Sequence, residues 1–343
     1  MKTLAAILVE QKNPLVLDEV ELPTLGFGQA LVDIKTSRIC GSQIGEIDGV
    51  KGPDKWLPHL LGHEAGGIVR EIGPEVRHVK VGDRVVCHWR PGRGIEARGA
   101  IYQWKGKACN AGPITTFQQL AVLSENRVTV VPPDTDFEIC CLLADTLTTG
   151  FGVINNDAKV KIGEAVVIIG CGGIGLGVVL GAKLAGAHPI IAVDLYDHKL
   201  QKAAQHGATH TINSTKEDFA EAVLKIHGQS RPDVVIDGTG HPAVLEKAFA
   251  LTGSTGRCVI FGVMAHDRKL SLNTLPLHYG KTLSGSHGGD SRPADDIPRY
   301  LRMMKAGRFN PGDFISHRVP LTQVNEAIAK MRSGEVIHAL ITF

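Results

Sequence analysis

Two short motifs in the chain contain residue types that could carry out chemistry. The first, Gly62–Gly67, reads G-H-E-A-G-G and places a histidine in a glycine-rich loop, with Cys40 upstream as a second candidate metal ligand. The second, Gly170–Gly175, reads G-C-G-G-I-G and directly follows the apolar run Ala165–Ile169. A strand, a tight turn and a helix start in that order form the place where a dinucleotide pyrophosphate binds. A metal ion together with a nicotinamide cofactor can move a hydride from an alcohol.

The second motif has the G-x-G-x-x-G spacing, with glycines at Gly170, Gly172 and Gly175. The first permits a tight turn, the second lets the backbone approach a pyrophosphate, and the third lets the helix pack against the strand. Gly173 and Ile174 belong to the same predicted site, because the N–H groups at a helix N-terminus are unpaired and favour anions. A glycine-rich turn without a ligand would have the same spacing.

Two residues near the end of the next predicted strand, Asp194 and Lys199, bear on the choice of cofactor. Asp194 ends that strand about 20 residues after the motif, where a carboxylate can bind both hydroxyls of the adenosine ribose and repel the extra phosphate of NADP. Lys199 can add a contact to the ribose. A helix N-cap or a solvated acid would also account for Asp194, and a solvated helix lysine for Lys199.

A candidate metal site combines residues from distant parts of the sequence. Cys40, His63 and Asp145 offer a thiolate, an imidazole and a carboxylate. Zinc accepts all three ligand types, and a catalytic zinc site keeps one position open. A buried thiol, a loop histidine and a helix N-cap aspartate would look the same, and the spacing alone does not distinguish the two interpretations.

The pattern of apolar residues changes along the chain. Residues 1 to about 150 are β-rich, with short apolar runs separated by glycine and proline turns. From about residue 155 strands alternate with helices, which predicts a parallel, doubly wound sheet with right-handed crossovers. The expected elements here are strands Val166–Ile169, Pro189–Val193, Val234–Asp237 and Arg257–Phe261, and helices Ile174–Ala185 and Lys199–His206. Two helices, Ile297–Lys305 and Val324–Arg332, and a strand, Ala339–Phe343, are expected near the C-terminus.

Composition narrows the class of protein. With 43% hydrophobic and 21% charged residues, the 343-residue chain is ordinary for a globular protein of two domains. Its net charge of +2 gives no reason to expect a nucleic acid or a membrane as partner. The seven cysteines are odd in number and include the neighbours Cys140 and Cys141, which favours a reducing compartment, the cytoplasm. We interpret the apolar N-terminus as a first β-strand rather than a signal peptide.

The order of four motifs resembles that of the zinc-containing medium-chain alcohol and polyol dehydrogenases. The motifs are C-G-S (Cys40–Ser42), G-H-E-x-x-G (Gly62–Gly67), L-T-T-G-F-G (Leu147–Gly152) and G-x-G-G-x-G (Gly170–Gly175). The final residues, Arg332–Phe343, also look like theirs, so the similarity covers essentially the whole chain. The resemblance implies an α/β protein with a GroES-like, β-rich catalytic domain, residues 1–153 and 289–343, around a Rossmann domain, residues 154–288. It also implies one catalytic Zn²⁺ and a homodimer or homotetramer.

The resemblance assigns roles to individual residues. It implies that Cys40 and His63 are the first two zinc ligands, and that Glu64 sits beside the metal or alternates as a ligand. The third ligand of alcohol-type members is usually cysteine, and that position holds Asp145, as in polyol-type members. Glu64, or a water held by Asp145, is the rival third ligand. Ser42 matches the hydroxyl that takes the alcohol proton, although a plain turn residue would fit there too.

The chain departs from the family pattern in several places. The stretch 87–110 has no C-x-x-C, so we predict no structural zinc; its basic and aromatic residues either line a substrate site or form a solvated loop. Gln43 replaces the usual aspartate that orients the zinc-bound histidine. Gly45 stands where some members have a relay histidine, and His338 where a cofactor-contacting arginine often lies.

These observations favour an NAD-dependent zinc dehydrogenase that acts reversibly on a secondary alcohol of a polyol, cyclitol or sugar. The alternatives are a zinc-free reductase of the same superfamily acting on enones or quinones, and an NAD(H)-binding protein without turnover. A metal assay distinguishes the zinc-free reductase from the zinc dehydrogenase, since that reductase would not need Cys40, His63 and Asp145 together.

Overall fold

The computed structural model describes residues 1–343 and contains two compact units. One unit combines both ends of the chain, Met1–Asp145 and Arg292–Phe343, and the other is Thr146–Ser291. The packing therefore divides the chain at 145/146 and 291/292, whereas the limits expected from sequence are 153/154 and 288/289.

The segment Met1–Asp145 is mostly β-structure. Its strands are β1 (Lys2–Leu8), β2 (Val16–Glu21), β3 (Gln29–Arg38), β4 (His59–Leu60), β5 (Glu64–Ile72), β6 (Arg84–His88), β7 (Ile101–Trp104), β8 (Lys107–Asn110), β9 (Leu120–Ser124) and β10 (Val128–Val130). Its helices are α1 (Gly41–Asp48) and α2 (Phe137–Ala144). Five of the strands close a small barrel in the order β1-β2-β7-β8-β4. The hairpin β7–β8 of this barrel lies within the stretch for which the sequence suggested a loop.

The unit Thr146–Ser291 alternates helices and strands. Its helices are α3 (Thr146–Gly152), α4 (Gly173–Leu184), α5 (Asp197–His206), α6 (Phe219–Ile226) and α7 (Pro242–Leu251), with a π-helical turn at Val153–Asp157. Its strands are β11 (Val166–Ile169), β12 (Ile190–Asp194), β13 (His210–Asn213), β14 (Val234–Asp237), β15 (Arg257–Ile260) and β16 (Thr282–Gly285). They form one parallel sheet in the order β13-β12-β11-β14-β15-β16. This order is that of the Rossmann fold, which confirms the predicted fold class.

The last segment returns to the first unit. It contains α8 (Pro293–Lys305), β17 (His317–Pro320), α9 (Val324–Arg332) and β18 (Ala339–Thr342). Strand β18 pairs antiparallel with β3, placing Leu340 opposite Arg38, and parallel with β17. The resulting sheet has the order β10-β6-β5-β3-β18-β17, with β9 also paired to β3. Strand β3, which ends at the candidate metal site, therefore pairs with β5 and β9 from the first segment and with β18 from the last segment.

Each unit has its own apolar core. In the first unit, Ile39 and Phe117 pack with Val324 and Ile341 from the C-terminal segment. In the second, β-branched residues of the central strands form the core together with residues of α6 and α7. One helical stretch, Phe137–Asp157, is long and apolar enough to span a membrane, but 83% of its apolar 18-residue segment is buried inside the protein. Such burial is typical of a core helix.

Candidate metal centre and dinucleotide site

Antiparallel pairing brings two of the candidate ligands together. Cys40 is the N-cap of α1, two residues after the end of β3, and His63 directly precedes β5. Strands β3 and β5 are antiparallel, with Ser37 opposite Ala65. The residue after one strand therefore lies beside the residue before the other.

A close helix approach supplies the third candidate ligand. Asp145 follows α2, and α2 packs directly on β5 at Gly66. A Cβ at Gly66 would lie 2.7 Å from the carbonyl oxygen of Phe137 and 2.8 Å from Cβ of Cys140. Gly66 is thus needed for the close approach of α2 to β5, which places Asp145 at the site. The ligand atoms of Cys40, His63, Glu64 and Asp145 all lie within 4.8 Å of one another.

The spacing of three of these atoms fits a zinc ion. Oδ2 of Asp145 is 3.4 Å from Nε2 of His63 and 3.7 Å from Sγ of Cys40. Ordinary zinc bond lengths at a tetrahedral angle place a nitrogen and an oxygen ligand about 3.3 Å apart, and a sulfur and an oxygen ligand about 3.6 Å apart. Oε1 of Glu64 is farther from His63 Nε2, at 4.0 Å. The donor set of thiol, imidazole and carboxylate also suits zinc.

Two neutral side chains orient the candidate ligands. The side-chain oxygen of Gln43 accepts a hydrogen bond from the backbone N–H of Cys40 at 3.0 Å, and its amide nitrogen contacts Nδ1 of His63. The ring is thereby fixed with Nε2 toward Asp145. The indole N–H of Trp89 donates to Oδ1 of Asp145 at 3.0 Å, which leaves Oδ2 facing Cys40 and His63. Gln43 thus occupies the orienting position that the sequence assigned to it.

The fourth candidate ligand, Glu64, is held by a buried arginine. Nε and Nη2 of Arg38 lie 2.9 and 2.8 Å from the two oxygens of Glu64, and both side chains are almost wholly buried. Burial raises the pKa of Glu64 to about 7, against the opposing effect of Arg38 and with a further increase from the charge of Asp145. Burial lowers the pKa of His63, but its hydrogen bonds to Asp145 and Cys40 outweigh this and raise it well above the ordinary value. The thiol of Cys40 and the carboxyl groups of Glu64 and Asp145 can all bind a divalent cation once they lose their protons, beside the one guanidinium of Arg38.

A cavity with both apolar and polar lining residues opens beside the candidate metal centre. It measures about 780 Å³, and His63 and Gln43 lie in its wall. Its other polar lining residues are Gln11, Glu46, Lys51, Asp54, Lys55, His59, Asn110 and Thr115. Nearby in α1, the hydroxyl oxygen of Ser42 is buried and makes no hydrogen bond within the chain. A buried polar atom of this kind is suited to binding a group that is not part of the chain.

The glycine motif in the other unit has the local geometry of a pyrophosphate loop. Gly170 has φ +94°, and Gly172 is the N-cap of α4. A Cβ at Gly175 would lie 2.0 Å from the carbonyl oxygen of Gly170, so the helix can pack on the strand only with glycine there. A Cβ at Gly172 would have no neighbour within 4 Å, which leaves the backbone open to a ligand. Gly173 and Ile174 form the first turn of α4, beside this opening.

Asp194 ends β12 next to that loop. Its Oδ2 accepts a hydrogen bond from the backbone N–H of Cys171 at 2.7 Å, and its Oδ1 accepts from the N–H of Tyr196 at 3.1 Å. The carboxylate therefore ties the glycine loop to the end of the neighbouring strand. The ammonium group of Lys199 lies 4.6 Å from the ring centroid of Tyr196.

Comparison with known proteins identifies the family. The model of the alcohol dehydrogenase GroES-like domain matches residues 26–133, and that of the zinc-binding dehydrogenase matches residues 173–306. A class-3 alcohol dehydrogenase from Cereibacter sphaeroides is 31% identical over the full length of both chains. The chain belongs to the zinc-containing medium-chain alcohol dehydrogenase family.

Solved structures agree with this assignment. Benzyl alcohol dehydrogenase from Acinetobacter calcoaceticus superposes with a TM-score of 0.90 at 25% identity, covering 100% of this chain and 99% of that one. The 2R,3R-butanediol dehydrogenase from Bacillus subtilis superposes with a TM-score of 0.81 at 26% identity, covering 99% of both chains. The GroES-like and Rossmann-like domains implied by the sequence motifs are thereby confirmed.

The carboxylate of Glu125 holds a lobe formed by the segments around residues 77–78 and 95. Glu125 accepts hydrogen bonds from the backbone N–H groups of Arg77, His78 and Ile95 at 2.5, 2.7 and 2.8 Å. These bonds lower the pKa of Glu125 even though burial raises it. The stretch around residue 95 is therefore tied to the sheet by a carboxylate.

Two residues of the centre were not assigned to it from sequence. Arg38 ends the mostly buried strand β3, and no local sequence signal marked its charge as buried and paired. Trp89 was noted only as part of an aromatic loop. His338 is fully buried, lies 3.2 Å from Nη1 of Arg38 through its Nδ1, and stacks on Phe314 with ring centroids 5.5 Å apart. This member of the family therefore has a buried packing residue where others have a cofactor-contacting arginine.

Proposed function

We propose that the protein is a zinc-dependent, NAD-linked dehydrogenase that transfers a hydride between NAD(H) and a secondary alcohol or its ketone. The observation that carries the proposal is that Asp145 Oδ2 lies from Cys40 Sγ and from His63 Nε2 at the distances expected between tetrahedral zinc ligands. When bound, zinc supplies the Lewis acidity that lowers the pKa of an alcohol, and NAD⁺ supplies the hydride acceptor.

The chain's own residues perform the remaining tasks. The hydroxyl of Ser42, which has no partner within the chain, accepts the proton of the alcohol and passes it on. Gln43 and Trp89 hold the imidazole and the carboxylate in place before any ligand arrives. In the other unit, Gly172 leaves room for a pyrophosphate, and Asp194 binds the adenosine ribose and selects NAD over NADP.

The proposed substrate is a polyol, cyclitol or sugar. The cavity beside His63 has an apolar part, which includes Trp56 and Leu61, and a polar part of charged, amide and hydroxyl side chains that can hydrogen-bond several substrate hydroxyls. The carboxylate at Asp145, in place of the cysteine of alcohol-type members, points the same way. The named substrates of the two similar structures, benzyl alcohol and 2R,3R-butanediol, provide an apolar and a hydroxylated comparison.

We further propose a homodimer or homotetramer located in the cytoplasm. Strand β16 is the outer strand of its sheet, and the side chains of Leu275, Leu277 and Tyr279 just before it are exposed. All seven cysteines are buried free thiols, as suits a reducing compartment. Light scattering of the purified protein tests the oligomeric state.

The test of the proposed activity pairs elemental analysis with a substrate screen. Purified protein should contain zinc bound at its one candidate centre and should reduce NAD⁺ with secondary diols, polyols, cyclitols or sugars. The screen includes simple primary alcohols, benzyl alcohol and S-(hydroxymethyl)glutathione as comparison substrates. Zinc-free protein that reduces enones or quinones would replace the proposal with the reductase alternative. NADH binding without turnover of any substrate would indicate a non-catalytic role.

A further inference from the structure

The two carboxylates of the metal centre have different surroundings. Oδ2 of Asp145 is 3.4 Å from His63 Nε2, whereas Oε1 of Glu64 is 4.0 Å from the same atom. That Oε1 is also 2.8 Å from Nη2 of Arg38, and the other oxygen of Glu64 accepts a hydrogen bond from Nε of Arg38 at 2.9 Å. Both Glu64 oxygens thus face a cation of the protein.

From this difference, and resting on the proposed function, we propose that Arg38 is a positioning residue that holds Glu64 out of the coordination sphere of the metal. Asp145 is then the third protein ligand, and Glu64 is a permanently paired carboxylate. The assignment decides between the two rival third ligands that the sequence left open.

Burial makes the hold of Arg38 on Glu64 strong. The side chains of Arg38 and Glu64 are 1% and 0% exposed, so water cannot replace a broken contact. If Glu64 turned toward the metal, it would leave an uncompensated guanidinium in the protein interior, which is strongly unfavourable. The group that donates to Oδ1 of Asp145 is by contrast neutral, the indole N–H of Trp89, and Oδ2 already faces Cys40 and His63.

Arg38 itself cannot follow Glu64 toward the metal. It is the last residue of β3 and lies opposite Leu340 of β18 in the sheet. On its other side, Nη1 is 3.2 Å from Nδ1 of His338, a fully buried ring stacked on Phe314. The guanidinium is therefore fixed from two directions, and Glu64 is fixed with it.

The experiment measures cobalt(II) binding to metal-free protein by competition with a chelator and by the thiolate-to-cobalt absorption band. We expect Asp145→Asn to weaken binding about 100-fold or more and Glu64→Gln to change it less than about threefold. In the Asp145→Asn background, adding Arg38→Met should recover at least tenfold of the affinity, because Glu64 is released to bind. Adding Glu64→Gln to that double variant should abolish the recovery, which a merely structural role of Arg38 would not predict.

Two outcomes would overturn the inference. One is a loss of affinity in Glu64→Gln as large as that in Asp145→Asn, and the other is a folded double variant that shows no recovery. If Arg38→Met does not fold, as judged by circular dichroism, the comparison of Glu64→Gln with Asp145→Asn still decides which carboxylate binds the metal, and Arg38→Gln, which is polar but uncharged, replaces it in the double variant. Wild-type protein that binds no cobalt would instead refute the proposed function, and this inference with it.

Discussion

The indole N–H of Trp89 donates to Oδ1 of Asp145 at 3.0 Å, so the other oxygen of that carboxylate faces Cys40 and His63. The two residues are 56 positions apart in sequence. Trp89 directly follows β6 and Asp145 directly follows α2, both in the same unit. This neutral hydrogen bond favours presenting Oδ2 to the metal, without adding charge to a centre that already holds several acidic groups.

Removing this donor should weaken metal binding. Trp89→Phe keeps the ring but removes the N–H, and partners of this kind typically change metal affinity 10- to 100-fold. We expect the zinc dissociation constant to rise about tenfold, measured by competition with a chelating dye. Trp104→Phe is the matched control, because its indole donates to Asp18, away from the centre. Equal affinities for both variants would contradict the orienting role of Trp89.

Two glycines of the dinucleotide loop should respond differently to alanine. At Gly172 a methyl group meets nothing within 4 Å, so Gly172→Ala should leave the free energy of unfolding within about 0.5 kcal/mol of wild type. The same methyl would block a pyrophosphate, and the dissociation constant for NADH should rise at least about tenfold. Fluorescence titration with NADH measures this.

At Gly175 the methyl group would lie 2.0 Å from a carbonyl oxygen of the loop. Gly175→Ala should therefore lower the free energy of unfolding by about 1–3 kcal/mol as well as weaken NADH binding. If Gly172→Ala bound NADH as tightly as wild type, the pyrophosphate would not lie at this loop.

Replacing the acid at the end of β12 should relax the choice of cofactor. Asp194→Ser removes the charge that repels the 2′-phosphate of NADP and the acceptor for the ribose hydroxyls of NAD. Since charge-assisted hydrogen bonds are worth about 1.5–3 kcal/mol, the ratio of kcat/KM for NADP⁺ to that for NAD⁺ should rise on the order of 100-fold. The control is Asp197→Asn, an exposed acid three positions later that pairs with Lys216. An unchanged ratio would show that Asp194 serves only to brace the loop.

The lobe held by Glu125 should depend on its carboxylate rather than on a metal. Glu125→Gln replaces one acceptor oxygen by a donor that faces backbone N–H groups, so the free energy of unfolding should fall by about 2–3 kcal/mol. Urea unfolding of metal-free protein measures the change. Glu75→Gln, which alters an exposed ion pair with Arg77, should have little effect. A stability that falls only when wild-type protein is treated with a chelator would point to a metal in this lobe instead.

One buried histidine should make stability depend on pH. His88 donates from Nδ1 to the carbonyl of Arg90, its Nε2 lies 2.8 Å from the hydroxyl of Thr129, and burial lowers its pKa to about 4. The unfolded chain takes up a proton near pH 6.5 that the folded protein does not, so this contribution is complete above pH 6.5 and is lost as the pH falls toward 4.

Between pH 7.5 and pH 5, wild type should therefore lose about 2 kcal/mol more of its free energy of unfolding than His88→Gln. Urea titrations at the two pH values give this difference. Parallel pH dependence of the two proteins would mean that His88 is protonated in the folded state.

Much of the fold follows from apolar periodicity. The strands Val166–Ile169 and Val234–Asp237 have the predicted bounds, because each is a continuous buried run of mostly β-branched residues. The helix Val324–Arg332 was also predicted with these bounds. Strands β13 and β16 were not predicted, since they are the two outer strands of the sheet and carry polar or exposed residues with no clear period.

The centre could be predicted only in part for a different reason. Residue type and motif order selected Cys40, His63 and Asp145, and the fold brings their ligand atoms together. The positions of the two carboxylates, Glu64 and Asp145, depend on Arg38 and Trp89, which lie 26 and 56 residues away from them in sequence. Such contacts arise from sheet register and helix packing, and neither is readable from the local sequence around an arginine or a tryptophan.

The most direct test of the central claim is zinc K-edge X-ray absorption on purified wild-type protein. We predict one zinc per chain with a single sulfur ligand at about 2.3 Å and the remaining ligands nitrogen or oxygen at about 2.0–2.2 Å. Zinc without a sulfur neighbour, or NAD-reducing protein without zinc, would contradict the assignment of Cys40, His63 and Asp145 as the metal centre.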